Sequence, residues 1–74
     1  NDIYQQISYL IRLYISEEIK INIKAYTLED IKQLNNNQLT KIIEKCYRAE
    51  FSKNYYPNIS IIINETKELI KTWK

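Results

Sequence analysis

Apolar residues recur at steps of three and four along most of this chain, the period of one face of a helix. Ile3, Ile7, Leu10, Ile11, Tyr14 and Ile15 set the rhythm, with Gln6, Arg12 and Glu17 on the other side. The spacing predicts a first helix through Glu18 or Ile21. "IKINIK" (19–24) then alternates strictly, and alone it reads as a strand. We read it as the helix end plus a connector. "TLEDI" (27–31) opens the next helix: Thr27 can cap it, Asp30 completes a capping box, and Glu29 and Asp30 suit the positive end of the dipole. Leu28, Ile31 and Leu34 make its apolar stripe, and Asn35-Asn36-Asn37 ends it.

Leu39, Ile42, Ile43, Cys46 and Tyr47, extending towards Phe51, predict a third helix. "FSKNYYPN" (51–58) is a loop closed by Tyr56-Pro57, with Asn58 or Ser60 as the next cap. "ISIII" (59–63) is β-branched enough for a strand. Yet Ile62, Thr66, Leu69 and Trp73 fall on one helical face. Pairing "ISIII" with "IKINIK" would leave an isolated two-stranded ribbon, which is marginal in water. The expected fold is therefore all-α: a compact bundle of four helices, or five, with a long loop before the last. Leu10, Ile31, Ile42, Leu69 and Trp73 are its expected core. Trp73 continues the last stripe beside Lys67, Lys71 and Lys74, so docking it would secure a final turn that otherwise frays.

Composition supports helices. The 74 residues contain no glycine and a single proline, Pro57, whereas tight hairpins usually need glycine. Asparagine is expected to take the left-handed positions instead. Residues 1–74 make one domain, and the Asn-Asp start suggests a piece of a longer protein. Asn, Ile, Lys and Tyr supply 39 of the 74 residues. All four have A/T-rich codons, which points to an A/T-rich genome and warns against reading function into lysine and asparagine abundance.

A net charge of +2 is weak for a nucleic-acid or membrane binder. One cysteine excludes an intrachain disulfide, and a reducing setting suits it. Histidine is absent, removing the usual general base and the commonest metal ligand. Glu17/Glu18 and Glu29/Asp30 are sequence neighbours that point apart on a helix, and Cys46 lies on an apolar stripe. No enzymatic activity, metal or cofactor is expected. Asn58-Ile-Ser60 and Asn64-Glu-Thr66 match the glycosylation pattern, as chance allows in an asparagine-rich chain.

Two basic lines stand out. Lys41, Lys45 and Arg48 on the third helix share their spacing with Lys67, Lys71 and Lys74 on the fourth. Lysines beside a buried stripe usually serve to snorkel and solubilise. If packing brings the lines together, they form a shared cationic rim for acidic partners. Tyr47, Tyr55 and Tyr56 also interleave with Lys45, Arg48 and Lys53, a mixture compatible with stacking and phosphate contacts on single strands.

Two segments together resemble the N-terminal helical-bundle domain of transcription elongation factor TFIIS, a module shared with Elongin A and a Mediator subunit. "KELIKTWK" matches the family's terminal pattern through Leu69, Ile70, Trp73 and Lys74. "YTLEDIKQLNNNQLTKIIEKC" supplies Thr27, Ile31, Leu39, Ile42 and Lys45 in similar order. The chain departs from the family in lacking its Thr-x-Ile-Gly connection and in carrying a longer loop before the last helix. The resemblance implies a nuclear, non-catalytic module of the elongation machinery that binds disordered acidic and aromatic segments of transcription proteins. It places Leu34 and Asn37 near the binding groove and Lys41, Lys45, Arg48, Lys67, Lys71 and Lys74 at its rim, in a fragment expected to be monomeric. The alternatives are a helical domain that contacts nucleic acid and a structural bundle that docks within a larger assembly.

Overall fold

The structure is a computed structural model and describes residues 2–73. Four helices succeed one another: α1 (Asp2–Ile19), α2 (Leu28–Lys32), α3 (Asn37–Phe51) and α4 (Ile59–Thr72). A 3-10 turn, Ile23–Ala25, lies between α1 and α2. No strand occurs among the described residues. The fold is all-α, and the three long helices form the bundle.

Asparagine and threonine start the helices. The Thr27 hydroxyl accepts the Asp30 N–H, and the Asp30 carboxylate accepts the Thr27 N–H, so the capping box of α2 is complete. Asn36 caps α3 by accepting from Leu39 N–H. Asn58 caps α4, accepting from both Ser60 and Ile61. The asparagine run divides its labour. Asn35 turns the chain at φ 58°, Asn36 caps, and Asn37 is the first residue of α3. Asparagine tolerates that left-handed geometry because its short side chain can bond locally.

"IKINIK" is neither strand nor simple coil. Lys20 adopts φ 63° and stops α1, and the chain then folds back through the 3-10 turn. Ile19 and Ile23 are buried and Ile21 is partly so, all packed into one core. The even spacing marks three inward isoleucines on a chain that bends. The β-branched "ISIII" run opens α4.

The core gathers Ile11, Ile15 and Ile19 from α1, Ile23, Ile31 from α2, Leu39, Ile42, Ile43 and Cys46 from α3, and Ile62 and Leu69 from α4. Thr66 shares the stripe because its hydroxyl donates to Ile62 C=O at 2.8 Å, leaving its methyl to pack. Helices α3 and α4 run antiparallel, as the Lys45–Glu65 and Gln38–Thr72 contacts both require. Helices α1 and α4 begin side by side, where the Tyr4 hydroxyl donates to Pro57 C=O at 3.1 Å.

Two core expectations need correction. Leu10 is 58% exposed. Helix α1 carries apolar residues around more than one face, and the bundle buries the Ser8, Ile11, Ile15 and Ile19 side. Leu10 points about 100° away from Ile11. Trp73 lies just past the end of α4, in extended geometry, and is half-buried against the core. It docks, but as a cap on the bundle end and not as a fully enclosed side chain. Ile31, Ile42 and Leu69 are buried.

Candidate binding groove

The face of α1 left out of the core borders a groove. Its walls are Ile7, Leu10 and Tyr14 from α1 and Ile59 and Ile63 from α4, above a floor of Ile11 and Thr66. The volume is about 370 Å³, within the span of ligand-binding clefts. Leu10, Tyr14 and Ile63, which line it, are 58%, 41% and 41% exposed. Thr66 brings little polarity, because its hydroxyl is already bonded to Ile62 C=O. Lys67 is the single charged residue of the lining, and it has no ion pair among the described residues.

The five described basic positions do not converge. The Lys45 ammonium bonds the Glu65 carboxylate at 2.5 Å, across α3 and α4. The Arg48 guanidinium lies 4.3 Å over the Tyr55 ring, pinning the loop onto α3. Lys41 is exposed on α3. On α4, Glu65 and Lys67 point about 200° apart. Lys45 of α3 therefore meets the Glu65 side of α4 while Lys67 borders α1, and the two lines form no shared cationic rim among the described residues. Lys71 lies one turn beyond Lys67, paired with Glu68 at 3.7 Å. Lys74 lies outside the described residues. Leu34 packs against the core beside α2, and Asn37 is exposed at the start of α3. Neither lines the α1–α4 groove.

A second surface surrounds the loop between α3 and α4. Phe51 and Tyr56 are 67% and 66% exposed. With Glu50, Ser52 and Lys53 they line a more polar hollow of about 410 Å³. Tyr47 stacks obliquely on Phe51 at 4.8 Å, and Tyr56 meets Tyr4 at 6.3 Å. The Tyr56 hydroxyl donates to Lys53 C=O at 2.7 Å. Much of the aromatic content here anchors the loop, and Arg48 is committed to Tyr55.

The interior between α1 and α3 holds the sole thiol. Burial pushes Cys46 above its usual value, outweighing the smaller lowering effects of the Ser8 hydroxyl and Arg12. Such a thiol stays protonated and behaves as a small apolar side chain. Arg12 and Glu50 close the same seam at 3.9 Å. Among the described residues, no group of three or more His, Cys, Asp or Glu side chains gathers to hold a metal.

The α1–α4 groove was not legible as a site from the sequence. Its signal was present, since α1 has apolar residues in excess of one stripe, and such an excess marks a helix with two neighbours. No known protein family, curated protein or solved structure matches the chain.

Proposed function

We propose that this chain is a non-catalytic protein-interaction module that binds a short apolar segment with acidic flanks in the α1–α4 groove. One observation carries the reading: an open apolar groove whose only charged lining residue is an unpaired lysine, Lys67. Apolar side chains of the partner would displace water from Leu10, Tyr14 and Ile63, while a carboxylate would orient on Lys67. The terminal "KELIKTWK" resemblance adds the setting. It favours disordered segments of transcription elongation proteins in the nucleus as partners.

Amide-correlation NMR of the chain with an acidic, Phe-containing peptide tests this. Shifts confined to residues 7–14 and 59–67, weakening with salt, support it. A spectrum unmoved by such peptides at millimolar concentration rejects it.

The exposed Phe51 and Tyr56 rings beside Lys53 favour one second reading, stacking of single-stranded nucleic acid at the loop. A titration with poly-dT that moves residues 47–56 in place of the groove would select it.

A further inference from the structure

We infer that the occupant of the α1–α4 groove is a helix of the partner, with apolar residues at alternating steps of three and four and a carboxylate facing Lys67. This rests on the groove being the binding site. Three features of the groove specify the occupant.

The first is the spacing of the walls. On α1 the wall residues are Ile7, Leu10 and Tyr14, steps of three and four; on α4 the lining runs through the walls Ile59 and Ile63 to Thr66 of the floor, steps of four and three. Both seams repeat like the apolar positions of a coiled coil. The holes between them advance by about one helical turn, roughly 5.4 Å. Side chains on one face of a strand advance about 6.8 Å and fall out of step within two holes. A helix keeps step.

Backbone chemistry gives the second. Both walls are helices, whose N–H and C=O groups are bonded within themselves. The groove offers no strand edge. An extended peptide laid there would bury its own backbone groups with no partner, which is costly. A helix arrives with those bonds already made.

Charge supplies the third. The lining holds one cation and no carboxylate. A second copy docked groove to groove would bring another Lys67 and no carboxylate from its own lining. An acidic side chain on a different protein complements the site, so the occupant is a partner and not a second copy.

Three peptides of the same length, 18 residues, test this against the isotope-labelled chain. The first carries leucine at three–four steps with glutamate on one flank. The second alternates leucine with polar residues, and the third replaces the glutamates with lysine. The expected result is that the first shifts Ile7, Leu10, Ile63 and Lys67, acquires helical Cα shifts itself, and binds at least about ten-fold more tightly than the second. K67E should weaken the first peptide about two- to five-fold and strengthen the third. Lys67 is exposed, so unchanged circular dichroism of the variant shows that its fold survives.

If the alternating peptide binds the groove as well as the helical one, the helix inference is wrong while the groove remains the site. Concentration-dependent self-association in sedimentation that protects the same residues assigns the groove to a second copy and overturns the inference. If no peptide moves the groove residues, both the inference and the proposed function fail.

Discussion

The Ser16 hydroxyl oxygen accepts the backbone N–H of Ile23 at 3.1 Å inside the protein. The bond spans the turn that ends α1 and holds Ile23 in the core, where it is 1% exposed. The same amide also donates to Ile21 C=O at 2.8 Å, so the hydroxyl is the second of its two acceptors. Ser16→Ala should therefore cost about 0.5–1.5 kcal/mol. Urea unfolding measures the loss, and amide exchange at Ile23 should accelerate more than exchange at Leu39. Equal stability of variant and parent would show that the bond contributes nothing net.

Lys20 stops α1 at φ 63°, where a side chain crowds the following carbonyl. Lys20→Gly removes the clash, and the gain exceeds glycine's entropic cost in the unfolded chain. Stability should rise by about 0.5–1 kcal/mol. Asn35→Gly, at φ 58°, should gain less, because asparagine already tolerates that region. Thermal unfolding of both variants checks the ranking, and a loss on Lys20→Gly would contradict it.

Leu10 and Leu69 form a matched pair, one 58% exposed and the other 0%. Leu10→Ser should change stability by less than about 0.5 kcal/mol. Leu69→Ala should cost about 2–5 kcal/mol, a large share of what so small a domain has. If Leu10→Ser unfolds the chain, Leu10 belongs to the core as its sequence spacing implied.

Cys46 should resist thiol reagents in the native state and react on denaturation, because the folded thiol is buried and its pKa is raised. The sign of the linkage follows from that direction. Below the ordinary value of about 9.0, folded and unfolded thiols are both protonated and folding carries no penalty. Above it the unfolded chain loses its proton first, so stability falls as pH rises through the folded pKa. Cys46→Ala should flatten the alkaline limb of stability against pH. An unchanged slope would assign that limb to other groups.

Lys45 and Glu65 meet with side chains about one-third exposed. A double-mutant cycle should return a coupling of about 0.5–1 kcal/mol that shrinks with added salt. Because this lysine fastens α3 to α4, Lys45→Ala should not weaken peptide binding at the groove, whereas Lys67→Ala should. Equal losses of binding would restore the idea of one shared rim.

The sequence by itself showed where α2, α3 and α4 begin. Thr27 with Asp30, Asn36 and Asn58 act on amides two or three residues away, so their effect is local and readable. The same holds for the inward stripes of α3 and α4, where Leu39, Ile42, Ile62 and Leu69 keep helical spacing and are buried. Only the tertiary structure decided what α1 does. Its apolar residues cover more than one face, and periodicity cannot say which of several faces finds a partner. Packing chose Ile11, Ile15 and Ile19 and left Leu10 and Tyr14 to wall a groove. The same limit scattered the lysines. Helical spacing places Lys45 and Lys67 each beside a buried stripe, but the arrangement of three helices sends one towards α4 and the other towards α1. A surface built from two helices depends on their relative rotation, which is set by the packing of the whole core and not by either stretch of chain.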